Sequence, residues 1–180
     1  LSKIGLDGLN AIKMAVEEAN AAGGVRGRKI EIVEADDAGD SSKAILVAEK
    51  LAMDRAVLGV VGPMNSSTAE AALPTYQRAG LPITSQSATK PSLTEMGYKV
   101  MHRICPRDDA QGPASVKLVV DVLKAKNVYI IDDKTAYGQG LSDEVEAALK
   151  ASGIKTVRSQ ITLEDRDFSP ILTRVKAARP

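Results

Sequence analysis

Two short apolar runs most constrain what this chain can fold into. Val57-Leu-Gly-Val-Val61 and Leu81-Pro-Ile83 flank residues 67–79, a stretch of helix length. Short apolar runs bounded by Gly and Pro suit strands buried on both faces. Strands joined through a helix belong to a parallel sheet, since a tight turn joins only antiparallel ones. Each run also ends in hydroxyls: Ser66, Ser67 and Thr68 follow the first, and Thr84, Ser85, Ser87 and Thr89 follow the second. In an open α/β sheet the carboxyl ends of the strands are where ligands bind.

The same alternation runs through the rest of the chain. Leu6, Leu9, Ile12, Val16 and Ala19 recur at helical spacing and stop at Gly23-Gly24. Residues 28–37 read as a strand ending in Asp36-Asp37. Ser41 is placed to cap a second helix reaching about Asp54. Further strands are predicted over residues 82–84, 98–104, 127–131 and 155–161. Helices are predicted from Asp108 or Asp109 through Leu123, from the 132–140 loop to about Ala151, and over 168–178. Strands alternating with helices through short loops give an α/β class with a doubly wound, mostly parallel sheet.

Ser67-Thr-Ala-Glu70 has the spacing of a capping box, with Ser67 as N-cap. Capping needs one hydroxyl, so Asn65, Ser66 and Thr68 remain beside a helix N-terminus. Such an end attracts anions through its N–H groups and dipole, and a carboxylate is the ligand this pattern suits.

Composition narrows the partners. Formal net charge is +1, so bulk charge implies neither nucleic acid nor membrane as a partner, and with Trp absent and Phe168 the single Phe, stacking platforms for single-stranded nucleic acid are lacking. No apolar run approaches the roughly 20 residues of a membrane-spanning helix. Enzyme signatures fail one by one. His102 and Cys105 are the only His and Cys, and three apart on a strand they face opposite ways. They supply neither a nucleophile–base pair nor a zinc set. Gly138-Gln-Gly140 opens a helix, but Asp143 stands where a dinucleotide fingerprint needs its third glycine. Asp36-Asp37 and Asp132-Asp133 offer paired carboxylates, for which loop bonding and capping are the commoner uses and metal or acid–base work the rarer. No cofactor is expected.

Several stretches, in this order, carry a likeness: Gly8-Leu-Asn-Ala-Ile12 with Asn20-Ala-Ala-Gly-Gly-Val-Arg-Gly27, Glu34-Ala-Asp-Asp-Ala38, Val61-Gly-Pro63 with Ser66-Ser-Thr68, Ser87-Ala-Thr-Lys-Pro91 with Leu93-Thr94, Arg103, Gln111-Gly112, and Tyr137-Gly-Gln-Gly140. Together they resemble the substrate-binding proteins of branched-chain amino-acid (Leu/Ile/Val) ABC transporters, which have a type I periplasmic binding fold. The likeness spans almost the whole chain.

That resemblance implies a non-enzymatic solute receptor, in the periplasm or membrane-anchored outside a Gram-positive cell. It would capture an amino acid or similar small carboxylate and deliver it to a membrane permease. Sensory receptor domains share the fold and are the first rival; a small-carboxylate enzyme on a doubly wound sheet is the second. By the same likeness Ser66 holds the ligand's carboxylate through its hydroxyl and N–H, with Asn65 beside it. Thr89 adds a second hydroxyl, the Ser87 carbonyl accepts from the ammonium, Ala88 lies between them, and the Tyr137 ring closes over the ligand. The loop at Ser85-Gln86 runs one residue longer than the family's usual approach. Gly39 and Asn65 stand where some members carry a disulfide. Residues 1–180 correspond to a single N-terminal lobe, with the opening strand and the second lobe missing. In the family that strand lies between the strands at Ile30 and Val57.

Overall fold

The computed structural model of the chain describes residues 3–180. The chain, read above as one lobe, sorts by its contacts into two compact units. Unit 1 holds the residues up to Ser87 together with Gly97–Ile104, and unit 2 holds Ala88–Met96 and Cys105–Pro180.

Unit 1 contains helices α1 (Lys3–Ala21), α2 (Ser41–Met53) and α3 (Ser66–Ala79), and strands β1 (Val60–Val61), β2 (Ile83–Ser85) and β3 (Met101–Arg103). The strands form a parallel sheet in the order β1-β2-β3, with Val60 opposite Ile83 and Ile83 opposite Met101. Helices α2 and α3 pack on each other. Ala44, Ala48 and Leu51 are buried on one face of α2, and Ala69, Ala72, Leu73 and Tyr76 on one face of α3. Both sets follow helical spacing, and the alanines let the two backbones approach closely. Leu73, Tyr76 and Ile83 lose essentially all exposure, worth about 1.5–3 kcal/mol for each large apolar side chain. Gly80 takes a left-handed φ of 65° and closes α3 through its N–H to Tyr76 O and Gln77 O.

Three expectations are corrected here. Helix α2 is capped by Asp40, whose carboxylate accepts from Lys43 N at 2.8 Å, and not by Ser41. Helix α3 begins at Ser66 with Asn65 as N-cap, so Ser67 lies inside the first turn and the Ser67–Glu70 capping box does not form as read. Residues 29–37 make no ladder; the only bridge nearby pairs Val25 with Arg28 across a turn. The segment is held from elsewhere, by both ends of the Asn20 amide on Ile30 and by an ion pair from Lys13 to Glu34. It does not pair with β1, whose one ladder among the described residues is with β2.

Unit 2 contains a 3-10 turn (Pro91–Thr94), helix α4 (Asp108–Lys117), a wider π turn (Leu118–Val122), strand β4 (Asn127–Asp132), helix α5 (Ala136–Ala151), strand β5 (Lys155–Gln160) and helix α6 (Ser169–Ala178). The long helix expected through Leu123 thus changes pitch after Lys117, with Leu123 N reaching back to Leu118 O. Strands β4 and β5 run parallel in register from Asn127 opposite Lys155 to Asp132 opposite Gln160. Their core is Val116, Ile130 and Leu149, ringed by Val119, Val120, Val128, Val145, Ala148 and Ile154. Gly112 lets α4 meet α5: a Cβ there would stand 2.7 Å from Glu144 Cβ. The α/β class with parallel sheets is present, and its strands fall in two sheets.

Candidate functional site

In unit 1 the two strand ends deliver adjacent loops. Val60 N and Gly62 N donate to Pro82 O and Thr84 O, which carries the chain out of β1 alongside β2. Three carbonyls of the turn between β1 and α3 are then taken. Pro63 O accepts from Ser85 Oγ at 2.7 Å, and Met64 O from Ser87 Oγ at 2.8 Å. Asn65 O accepts from Ala69 N at 2.9 Å and from Thr68 Oγ1 at 3.1 Å. Ser87 N also approaches Ser85 Oγ, at 3.4 Å. Ser66 is the first residue of α3 and only 2% exposed. Asn65 takes an extended conformation and its side chain makes no capping bond to the helix. The helix dipole therefore presents its positive end where β1 releases the chain. The Asn65 amide nitrogen lies 3.4 Å from where a Gly39 Cβ would be, so the two positions of the family's disulfide do sit side by side.

The acidic pair of this unit serves its own loop. Asp36 Oδ1 accepts from Ala38 N and Asp37 Oδ1 from Gly39 N, which turns the chain into α2. Among the described residues no three His, Cys, Asp or Glu cluster as a metal ion would need.

In unit 2 the chain continues from Ala88, which is fully buried and whose carbonyl accepts from Cys105 Sγ at 3.6 Å. Thr89 O accepts from Asp108 N at 3.1 Å, which ties this segment to the start of α4. The Thr89 hydroxyl is buried and bonds to nothing among the described residues. Arg107 clamps the same corner by pairing with Glu95 and Asp109.

Tyr137 stands in the first turn of α5, 39% exposed, with its hydroxyl 3.4 Å from Gln111 Nε2. The loop before it is stiff. Asp133 Oδ1 accepts from Thr135 N and Thr135 Oγ1, and Thr135 Oγ1 accepts from Gly138 N as the N-cap of α5. A Cβ at Gly138 would fall 2.2 Å from Asp133 Oδ1 and 3.3 Å from Asp133 N, so a larger residue would push the Asp133 carboxylate off Thr135. One residue earlier, Asp132 is buried at the end of β4. It accepts from Arg158 Nε at 2.7 Å, Gln160 Nε2 at 3.0 Å and Lys134 N at 3.0 Å. Burial by itself would raise the Asp132 carboxyl, but the Arg158, Lys134 and Gln160 donors outweigh it and hold it below the usual carboxylate range. Arg158 is held in turn by Asp143 and Glu146. Tyr137 also lines a cavity of about 270 Å³ with Ile131, Leu141 and Ile161 and the polar Asp132, Asp133 and Ser142.

The sequence reading gathered Asn65, Ser66, Ser87, Ala88, Thr89 and Tyr137 at one site; in unit 1 the turn carrying Asn65 and Ser66 meets Ser87 through the Ser87–Met64 bond. Ala88, Thr89 and Tyr137 fall in unit 2. Two contributors were missed. Ser85 was noted among the strand-end hydroxyls but given no role, although Ser85 and Ser87 stand two apart at a strand exit and so can share a face. Asp132 was read as one of an undifferentiated acidic pair, although Arg158 stands on a neighbouring strand.

The periplasmic binding protein family model matches residues 1–180. An amino acid binding protein of Pseudomonas aeruginosa is 41% identical over 165 residues, which is 91% of this chain and 44% of that protein. A Leu/Ile/Val-binding protein of Rhizobium johnstonii is 38% identical over 171 residues, 94% of this chain and 46% of that protein. Among solved structures, the branched-chain amino acid transporter substrate binding protein of Streptococcus pneumoniae, in complex with isoleucine, superposes with a TM-score of 0.80 at 31% identity. That match covers 91% of this chain and 47% of the other. The chain thus spans about half the length of the curated relatives it matches.

Proposed function

This chain belongs to the periplasmic binding protein family, and on that premise we propose that it supplies the N-terminal ligand-binding part of a solute receptor. The receptor takes up a branched-chain or related amino acid and presents it to the permease of an ABC importer. It works in the periplasm, or anchored outside the membrane of a Gram-positive cell. No described helix is long and apolar enough to cross a membrane. The receptor changes no bond in its ligand. Binding energy is used to favour a closed form over an open one, as differential affinity for two states requires.

The observation that carries this reading is the Thr89 hydroxyl. A buried hydroxyl with nothing to bond costs about 1–3 kcal/mol, yet Thr89 keeps one while Ser85 and Ser87 nearby in sequence are engaged. A hydroxyl held in this way suits a ligand oxygen. Ser66, with its hydroxyl and N–H at the start of α3, is the second carboxylate donor, and Asn65 stands beside it. By the family likeness the Ser87 carbonyl accepts from the ammonium, while the Ser87 hydroxyl donates to Met64 O. Ala88 contributes backbone, and Tyr137 the covering ring. We place residues 1–180 in the first half of the binding protein, with a further strand beside β1 and the rest of the pocket supplied by the whole protein.

Calorimetric titration of the whole protein with leucine, isoleucine, valine and aromatic acids tests the assignment. Ser66→Ala and Thr89→Ala are each expected to weaken carboxylate binding by about 1.5–3 kcal/mol, the worth of a hydrogen bond to a charged group. Unchanged affinity in both variants would refute it.

A further inference from the structure

We infer that Gln111 is a positioning residue for Tyr137 and holds its ring at the end of unit 2 that carries Thr89. This rests on the reading of Tyr137 as the ring that covers the ligand. Gln111 lies in the first turn of α4 and Tyr137 in the first turn of α5. Gln111 Nε2 reaches the Tyr137 hydroxyl at 3.4 Å. The bond is long, and its weight comes from how little freedom the backbone has at either end.

Gly112, next to Gln111, packs on α5 so closely that a Cβ would stand 2.7 Å from Glu144 Cβ. Glu144 lies two turns along α5 from Tyr137, on the same face. The start of α5 is fixed in turn by Thr135, which accepts from Gly138 N and is itself bound to Asp133. Gly140 stands three residues beyond Tyr137, again on that face. A Cβ there would lie 3.6 Å from Lys90 Cγ and 3.8 Å from Asp108 Oδ2. Asp108 N donates to Thr89 O. The face of α5 that carries Tyr137 therefore rests on the first residue of α4 and on the segment of Thr89, whose buried hydroxyl bonds to nothing among the described residues. What remains loose is the Tyr137 side chain, 39% exposed. An exposed ring moves between rotamers on a picosecond-to-nanosecond scale. A bond at its far end selects one of them, and a ring already in place has less freedom to lose when ligand arrives.

Titration and stopped-flow release of L-leucine from the whole protein test this. Gln111→Met keeps the reach of the side chain and removes the amide. It is expected to weaken leucine binding about fivefold, within the worth of one hydrogen bond, through faster release and not slower association. In a Tyr137→Phe background, which already lacks the hydroxyl, Gln111→Met is expected to cost nothing further. Full affinity in Gln111→Met, or the same loss in both backgrounds, would overturn the inference, because a merely structural role is indifferent to the Tyr137 hydroxyl. Tyr137→Ala that binds leucine as the wild type does would sink the reading of Tyr137 and this inference with it. Weak binding in Tyr137→Ala beside full affinity in Tyr137→Phe and Gln111→Met would sink this inference alone. Wild-type protein that takes no leucine would leave the ring nothing to cover and sink both.

Discussion

Asn20 holds both backbone groups of Ile30: its Nδ2 donates to Ile30 O at 2.9 Å and its Oδ1 accepts from Ile30 N at 2.7 Å. A side-chain amide thus does for residues 29–37 what a neighbouring strand does elsewhere. Asn20→Ala removes both bonds and leaves two backbone groups in a partly buried place. We expect a loss of about 1–3 kcal/mol, read as a lower urea midpoint at unchanged slope. Asn20→Asp keeps the acceptor and should recover part of it.

Gly112 and Gly140 make a matched pair in unit 2. A Cβ at Gly112 meets Glu144 Cβ at 2.7 Å and Glu144 C at 3.0 Å, so α4 and α5 must move apart. Gly112→Ala should destabilise by about 1–3 kcal/mol through overpacking. A Cβ at Gly140 finds only ordinary contacts, the nearest being Lys90 Cγ at 3.6 Å. Gly140→Ala should therefore stabilise, by about 0.5–1 kcal/mol from helix propensity. Denaturation of both variants with the same probe gives the two signs.

Asp132 and Arg158 contribute to the acid limb of stability. The folded-state carboxyl of Asp132 lies below its ordinary value, so the stability it contributes is present above about pH 4 and is lost as pH falls below that. Asp132→Asn should flatten the pH dependence of the denaturation midpoint below about pH 4. Removing the partner is harsher: Arg158→Met leaves a buried carboxylate with the Gln160 and Lys134 donors but no countercharge, at a cost of up to about 3–5 kcal/mol. It should also loosen the Tyr137 loop, seen as faster amide exchange at Lys134, whose N–H donates to Asp132.

Tyr76 governs the alkaline limb. Burial first, then the charge of Asp37, push its phenol up to about 12. An unfolded tyrosine ionises near pH 10. The native state is therefore undisturbed by this group below about pH 10 and loses stability progressively from there towards its folded value. Tyr76→Phe should abolish that alkaline component, and absorbance titration of the phenols should lose its latest-ionising member.

Much of this was legible in advance, for identifiable reasons. Helices α2 and α3 were legible from their length and bounds, and in α2 Ala44 and Leu51 keep helical spacing on the buried face, although Leu46, read with them, is exposed. Their first residues were misjudged because Asp40 and Ser41, or Asn65 and Ser67, are equally good caps by type. Which one adopts the extended conformation depends on how the preceding strand delivers the chain. Residues 28–37 carried a strand-like pattern, but pattern cannot supply a pairing partner. Ser66 and Thr89 stood out as hydroxyls at strand ends, and with Tyr137 they gained their roles from the family likeness. Ser85 and Asp132 did not stand out, because their bonds reach Pro63 and Arg158, 22 and 26 residues away in sequence.

Unit 1 is not a continuous piece of chain, since residues 88–96 belong to unit 2 and Gly97–Ile104 return to unit 1. During synthesis this imposes a wait. Strand β2 leaves the ribosome with its β1 side ready to pair, while Met101–Arg103, the partner for its other side, is still inside the exit tunnel. At about 5–20 residues per second, Ile83, Thr84 and Ser85 spend on the order of seconds as an open edge. A ribosome that pauses while Ser85 is outside the exit tunnel and Arg103 is still within it prolongs the interval in which a nascent chain can pair with the wrong strand, so translation speed one tunnel length downstream of β2 is what bears on yield.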